Sequence, residues 1–219
     1  MDPRQLLKQT TLFSMLDEET LDQVLRELKV INIKRGTDLF LENDEANALY
    51  IVVEGRIAII KSFVDRKDSM VALMEPGDLF GEMGLFEDQL RSASSRAVEN
   101  SQLIEVPYPP IRRALEARPS LLWTLVALLA RRLRSTDEAL ADAMFLDVTG
   151  RTAKRILEIA GDSDEFIIPL TQEELAGMVG ASRERVNKTL ASFVKSGFLE
   201  IDDRHYTIIQ RKKLEEISS

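Results

Sequence analysis

The chain has 219 residues, of which 44% are hydrophobic and 30% charged, and its formal net charge is -8 at pH 7. The absence of cysteine and the single histidine exclude disulfides, iron–sulfur clusters held by cysteine and multi-histidine metal sites. The start MDPRQLLKQT lacks the apolar core of a secretory signal, and the longest apolar run, LLWTLVALLA, is too short to cross a bilayer. We therefore expect a cytoplasmic protein of two domains. The negative charge argues mildly against nucleic-acid binding without excluding it.

Short runs of β-forming residues dominate the N-terminal half. Before them, residues 17 to 28 have apolar side chains at helical spacing behind Asp17, which predicts a short amphipathic helix with Asp17 as its N-cap. From residue 29 to about 107, turn signals such as Asn43-Asp44 and Pro76-Gly77 separate the runs. This spacing predicts a small antiparallel sandwich or barrel. The runs are VINI, DLFL, LYIVV, RIAII, MVALM and SQLIEV.

The loop FGEMGLFEDQLRSAS, residues 80 to 94, carries a Gly-Glu pair and an Arg-Ser pair at its two ends. A glycine permits close backbone approach, a glutamate accepts hydrogen bonds from hydroxyls, and an arginine can bind a phosphate through two parallel hydrogen bonds. Together they are suited to hold a sugar phosphate. The alternative is an ordinary connecting loop.

A long helix is predicted at about residues 120 to 144. Its apolar or small residues alternate at spacings of four and three, which is the a/d pattern of helices that pair along their length. The alternative is an amphipathic helix that packs on its own domain. Thr136 is the polar member, and its hydroxyl would bond either to a carbonyl one turn earlier or to a ligand. These seven positions, called the seam below, are Leu122, Val126, Leu129, Leu133, Thr136, Leu140 and Ala143.

The segment FLDVTGR, residues 145 to 151, is predicted to interrupt the long helix through its β-branched pair and Gly150, and we place a domain boundary there. A helix at about 151 to 160 and a strand FIIP follow. The stretch QEELAGMVGASRERVNKTLA, residues 172 to 191, has small Ala176 where two helices would touch, Gly180 in the turn and apolar residues facing inward. This pattern predicts a helix-turn-helix, and a hairpin at 198 to 209 would make it winged.

The second helix of this pair is predicted to begin after Ser182 and to present Arg183, Glu184 and Lys188 on one outward face. Arginine suits guanine, glutamate accepts from cytosine N4, and lysine reaches guanine or phosphate. The alternative is a solvated charged face, which any surface helix can show. The position at the start of a recognition helix favours base reading.

This order of parts resembles the Crp/Fnr transcription regulators, in their cyclic-AMP receptor protein branch, and looks most like the actinobacterial members. The likeness covers roughly residues 5 to 210 and is densest in ARRLRSTDEALADAMFLDVTGR and TQEELAGMVGASRERVNK. It implies an α+β fold with an N-terminal, jelly-roll-like cyclic-nucleotide-binding β-roll (residues 1–118), a dimerisation helix (119–145) and a winged helix-turn-helix (146–219). It also implies a homodimer that binds double-stranded DNA at a two-fold symmetric site and contacts RNA polymerase.

The resemblance implies roles for the residues of the loop and the long helix. Glu82 would accept from the ribose hydroxyl of cyclic AMP, with Arg132 supporting it. The cyclic phosphate would bind Arg91, Ser92 and backbone amides near Gly81 and Met83. The adenine would contact Thr136 of one subunit and Asp137 of the other. Phosphate groups of DNA would contact Thr171, Ser182 and Arg204.

Two positions depart from the family pattern. Asp137 stands where serine or asparagine is frequent, and an aspartate accepts from an adenine amine and from guanine donors alike, which leaves cyclic GMP open as the ligand. Lys188 replaces a base-reading arginine and is not an equivalent hydrogen-bonding group. The missing cysteines disfavour the oxygen-, haem- and iron–sulfur-sensing branches, so we expect no metal, haem or iron–sulfur cluster.

Other functions remain as alternatives. A constitutive or differently liganded regulator would keep the same fold. An enzyme is disfavoured because GDLFGEMG lacks the Lys-Ser/Thr ending of a phosphate-binding P-loop and no acid, base and nucleophile accompany it. A regulatory subunit that docks on another protein is disfavoured by the helix-turn-helix.

Overall fold

The computed structural model describes residues 3–63, 66–87 and 90–219. Helices and strands are mixed along the chain, and the predicted α+β class is confirmed. Within the described ranges, no helix combines the length and apolar character needed to span a membrane. The helices are α1 (Pro3–Gln9), α2 (Thr11–Ser14), α3 (Glu18–Glu27), α4 (Gly84–Glu87), α5 (Tyr108–Ala117), α6 (Leu122–Phe145), α7 (Val148–Ala160), α8 (Gln172–Val179), α9 (Arg183–Lys195) and α10 (Arg211–Ile217), with a 3-10 turn (Pro119–Leu121) before α6.

The strands form three sheets, two of four strands and one of three. Their orders are β1-β8-β3-β6, β2-β7-β4-β5 and β10-β11-β9. The register that is described in each sheet is antiparallel. The strands are β1 (Lys29–Ile33), β2 (Asp38–Phe40), β3 (Ala48–Glu54), β4 (Ile57–Phe63), β5 (Arg66–Met74), β6 (Leu79–Phe80), β7 (Ser94–Ala97), β8 (Ser101–Pro107), β9 (Glu165–Ile167), β10 (Leu199–Asp202) and β11 (His205–Ile208).

The described chain divides into two compact units. Unit 1 takes its residues from 1–64 and 71–133, and unit 2 from 65–70 and 134–219. The two four-stranded sheets supply most of unit 1, whereas the three-stranded sheet and the helices from α7 onward belong to unit 2.

In unit 1, the sheet that contains β3 is buried on both faces. Residues 48–52 are all buried, which explains why LYIVV reads as a continuous apolar run rather than an alternating one. One face packs against the second sheet. On this face the rings of Tyr50 from β3 and Phe80 from the neighbouring β6 stack 5.4 Å apart. The other face packs against helices through side chains such as Leu21 and Ile111. The two sheets therefore form a sandwich that helices cover on one side.

Helix α6 is continuous over 24 residues, as the spacing predicts. Leu125 is its one buried residue, and in the single chain six of the seven seam residues are exposed, with Leu129 partly buried. Leu133 is 63% and Leu140 60% exposed. The alternative of a helix that packs this face on its own domain does not fit these exposures.

Unit 2 contains a helix-turn-helix followed by a β-hairpin. Helix α8 begins with a capping box in which the Thr171 hydroxyl accepts from the Glu174 amide, and it ends at Gly180 in the left-handed conformation with φ of 67°. Ala176 is buried, as are the inward residues Leu175, Val179, Val186 and Leu190. The interpretation of this stretch as a winged helix-turn-helix is confirmed, with β9 pairing to β11 ahead of the hairpin.

The predicted break in the long helix falls within residues 145 to 151, but not at Gly150. Helix α6 ends at Phe145, and α7 begins at Val148 after Asp147, whose carboxylate accepts from the Gly150 amide. Gly150 lies in the first turn, where a Cβ atom would approach the carbonyl oxygen of Ile217 to 3.0 Å. The charged C-terminal tail forms α10, which packs on α7 and buries Leu214.

Candidate ligand site and nucleic-acid interface

The loop between β6 and β7 holds the residues expected to bind a sugar phosphate, and Asp88 and Gln89 within it lie outside the described residues. Gly81 follows β6 with φ of 79°, a conformation that side chains with a Cβ rarely adopt. A Cβ atom here would lie 2.9 Å from Nη1 of Arg91 and 3.3 Å from the ring of Tyr50. The position therefore requires glycine for two reasons, conformation and space.

The Glu82 carboxylate is completely buried. Its Oε1 accepts a hydrogen bond from Nη1 of Arg132, whose Nη2 donates to the carbonyl oxygen of Leu79. The other oxygen, Oε2, has no hydrogen-bond partner among the described residues. A buried carboxylate oxygen without a donor is costly, so this atom is suited to accept from a bound hydroxyl.

The Arg91 guanidinium is 5% exposed and lies 4.2 Å from the centre of the Phe40 ring. Nη2 donates to the carbonyl oxygen of Ala48 at 2.9 Å, and Nη1 donates to that of Gly81 at 3.2 Å. Nε is buried and has no acceptor among the described residues. The side chain is thus held in place by the backbone, and its Nε–H is available to a ligand.

Tyr108, at the start of α5, was not anticipated from the sequence. Its hydroxyl donates to the carbonyl oxygen of Gly81 and stands 3.4 Å from Nη1 of Arg91. Burial raises the pKa of Tyr108, so the hydroxyl stays protonated and remains a donor at neutral pH. No local pattern signals this contact, because 27 residues separate the two partners.

A cavity of about 270 Å³ opens beside Arg91. It combines two cations, one carboxylate, a hydroxyl and an amide with apolar side chains, and the excess of positive charge suits a small anionic ligand with an apolar part. Ser92 is exposed at its edge, and its hydroxyl lies 3.7 Å from the sulfur of Met83. The cavity is lined by Glu42, Asn43, Lys61, Met83, Gly84, Leu90, Arg91 and Ser92.

Thr136 and Asp137, expected to contact the base, are both exposed on α6. They belong to unit 2, whereas Glu82, Arg91, Ser92 and Arg132 belong to unit 1. Their contact with a base stays a prediction.

The residues expected to read DNA lie on the outer surface of α9. Arg183, Glu184 and Lys188 are exposed, as is Arg185, which the sequence analysis did not single out. The N-cap is Ser182, whose hydroxyl oxygen accepts from the Arg185 amide at 3.4 Å. A charged face at the start of this helix presents both donors and an acceptor to base edges.

Arg204 lies in the tight turn of the hairpin, after Asp203 with its positive φ of 52°. Its side chain is exposed, and its carbonyl oxygen accepts from the Ile168 amide, which ties the turn to the segment after β9. An exposed cation on a fixed turn is suited to contact a phosphate.

Two family models match the chain, a cyclic nucleotide-binding domain at residues 30–118 and a Crp-like helix-turn-helix domain at 150–217. The chain is 31% identical over 217 residues to a CRP-like cAMP-activated global transcriptional regulator of Mycobacterium tuberculosis strain H37Rv, covering 96% of this chain and 97% of the relative. It is 33% identical over 180 residues to the cAMP-activated global transcriptional regulator CRP of Escherichia coli O157:H7, covering 79% and 86%.

Solved structures agree with these matches. The catabolite activator protein of Thermus thermophilus is 31% identical, with a TM-score of 0.52 over 94% of this chain and 97% of that one. FixK2 from Bradyrhizobium japonicum has a TM-score of 0.80 at 19% identity, covering 88% and 98%, which shows a common fold. With both domains matched and a relative aligned over 97% of its length, the chain belongs to the Crp/Fnr family of transcription regulators, in its cyclic-AMP receptor protein branch.

Proposed function

We propose that this protein is a homodimer that binds double-stranded DNA at a two-fold symmetric site under the control of cyclic AMP, and that it acts in the cytoplasm by binding rather than by catalysis. One observation carries the choice of a cyclic nucleotide. Glu82 and Arg91 are both buried, and each keeps one polar atom without a partner among the described residues, an acceptor and a donor. A ribose hydroxyl and a cyclic phosphate would satisfy these two atoms.

The residues of unit 1 fit the sugar phosphate of such a ligand. Oε2 of Glu82 would accept from the ribose hydroxyl, while Arg132 holds the carboxylate through its other oxygen. Nε of Arg91, the exposed hydroxyl of Ser92 and the backbone between Gly81 and Met83 would bind the phosphate.

The choice of adenine rests on the relatives and on two residues of α6. The curated relatives are named as cAMP-activated. Thr136 and Asp137 are exposed on the helix, where a threonine hydroxyl and an aspartate carboxylate can accept from the adenine amine. Because Asp137 would accept from guanine as well, cyclic GMP is the competing ligand to test.

The seam of α6 supports pairing with a second copy of the chain. A spacing of four and three over 24 residues, with Leu133 and Leu140 exposed, leaves an apolar stripe that an identical helix would bury. A ligand that contacts both helices would change the free energy of their pairing, and with it the spacing of the two recognition helices. RNA polymerase is the expected protein partner of the DNA-bound dimer.

Calorimetric titration of the full chain tests the ligand. We expect cyclic AMP to bind with one site per chain and to tighten binding to a two-fold symmetric DNA site, and cyclic GMP to bind more weakly. Cyclic di-GMP belongs in the panel, because a structural relative at 25% identity is named as responsive to it. Absence of binding by every nucleotide in the panel would contradict the proposal.

Replacing Glu184 distinguishes the reading of bases from electrostatic contact with the phosphate backbone. A carboxylate beside the phosphate backbone is unfavourable in general and makes sense as an acceptor for a cytosine amine. Glu184→Ala is therefore expected to relax sequence preference at one base pair of each half-site by about 1–3 kcal/mol, with little loss of non-specific affinity. The measurement is binding to a panel of single-base operator variants.

Lys188→Ala is the matched comparison on the same face. If Lys188 binds phosphate, its removal weakens binding to all sequences and lowers the salt dependence by about one ion per subunit. An equal loss of affinity for every sequence in Glu184→Ala would instead assign Glu184 to holding a neighbouring side chain.

A further inference from the structure

Lys61 lies in the cavity beside Arg91, and the family resemblance gives it no role. It stands on β4, and its Nζ donates to Oε1 of Glu42 at 2.5 Å and to the carbonyl oxygen of Ser92 at 2.7 Å. Glu42, Lys61, Arg91 and Ser92 all line the cavity. A second cation and a carboxylate therefore share the space proposed for the phosphate.

Arg91 is already engaged by the backbone at two of its three nitrogens. Its terminal nitrogens donate to the carbonyl oxygens of Ala48 and Gly81, and Nε is the guanidinium nitrogen without an acceptor among the described residues. The Lys61 ammonium has three N–H groups, of which two are engaged by Glu42 and Ser92. The third can donate to an anion in the cavity while the lysine keeps its contact with Ser92.

Glu42 makes Lys61 necessary for a second reason. A carboxylate that lines an anion site repels the ligand unless a cation neutralises it, and the repulsion is strong where water is excluded. Glu42 is 24% and Lys61 38% exposed at the side chain, so the pair is only partly screened by solvent. The ion pair thus keeps a cation beside the phosphate site, but it also places there a carboxylate that competes with the phosphate for this cation.

We infer that Lys61 is a second cationic ligand of the cyclic phosphate, held in the cavity by Glu42 and by the carbonyl group of Ser92. This inference rests on the proposed function, because it assigns a further residue to the same site. It also predicts that Glu42 weakens nucleotide binding, since it competes with the phosphate for the Lys61 ammonium.

Titration of cyclic AMP into the full chain and three variants tests the assignment. Lys61→Met is expected to weaken binding about ten- to a hundredfold, the loss typical of a hydrogen bond between charged groups. Glu42→Gln is expected to tighten binding several-fold, because it removes the competing charge and keeps the shape. The double variant is expected to bind about tenfold or more weakly than Glu42→Gln alone.

The double variant distinguishes a direct ligand from a neutralising charge. If Lys61 only neutralises Glu42, the double variant binds as tightly as Glu42→Gln, and this result would overturn the inference. Lys61→Arg, which keeps the charge, is expected to restore part of the affinity lost in Lys61→Met.

Arg96→Met is the matched control, since Arg96 is 37% exposed, pairs with Asp38 in the same sheet and does not line the cavity. It is expected to bind as the original chain does, and an equal loss in this variant would show that the effect is not specific to Lys61. Normal binding by Lys61→Met would refute the inference about Lys61 but leave the proposed function unaffected. Failure of the original chain to bind any cyclic nucleotide refutes the proposed function, and the inference with it.

Discussion

Replacing Arg91 by leucine is expected to abolish cyclic-nucleotide binding, with a loss of affinity greater than about a hundredfold. The reason is that Nε of this buried guanidinium has no acceptor among the described residues and can donate to the phosphate, and hydrogen bonds between charged groups contribute about 1.5–3 kcal/mol each. Loss of the positive charge weakens the attraction for the phosphate further. Calorimetric titration with cyclic AMP measures the effect.

A control for folding is needed because Arg91 also stabilises unit 1. Leucine would leave the Ala48 carbonyl oxygen without the donor at 2.9 Å, at a cost of about 1–3 kcal/mol. We therefore expect a lower melting temperature but a folded chain, which thermal unfolding followed by circular dichroism checks. Arg91→Lys keeps the charge without the planar group and is expected to retain weak binding. A folded Arg91→Leu variant with unchanged affinity would show that the ligand binds elsewhere.

Introducing glutamate at both Leu133 and Leu140 is expected to convert the dimer into a monomer. Each leucine contributes about 1.5–3 kcal/mol when an identical helix buries it, and the substitutions place four carboxylates in one seam. The dissociation constant of the dimer should rise by more than about a thousandfold. Because both side chains are at least 60% exposed in the single chain, the fold of each chain should survive. Sedimentation equilibrium measures the association.

Glutamates on another face of α6 provide the control. Arg131 and Ser135 are exposed and lie outside the seam, so glutamate at both positions adds the same number of carboxylates and also removes one cation, which makes the control the more negative of the two variants. This variant is expected to remain a dimer and to bind two-fold symmetric DNA. If both double variants dimerise like the original chain, the subunits pair through a different surface.

Features encoded by neighbouring residues were predictable from the sequence. The helix-turn-helix depends on one capping box, one left-handed glycine and apolar residues at helical spacing, all within about 20 residues. The N-cap of α3 was equally local, with the Asp17 carboxylate accepting from the Thr20 amide at 2.8 Å. In both regions the tertiary contacts agree with the local preference.

Contacts between residues far apart in sequence were not predictable. Lys61 follows the apolar run IAII and resembles any surface lysine, yet it contacts Glu42 and Ser92, 19 and 31 residues away. Gly150 was expected to help interrupt the helix because glycine usually disfavours helix, whereas it lies in the first turn of α7, where a Cβ atom would lie 3.0 Å from the Ile217 carbonyl oxygen of α10. The arrangement of distant strands and helices decides these positions.

The short connection between α6 and α7 determines how this protein can be recombined with its relatives. Arg151 of α7 donates to the carbonyl oxygens of Leu146 and Val179, and Lys154 pairs with Asp142 at 2.6 Å. A chimaera joined at the break between the helices would separate these partners and combine side chains that were not selected together. A functional exchange should therefore transfer the DNA-binding domain together with the last turns of α6, beginning before Asp142.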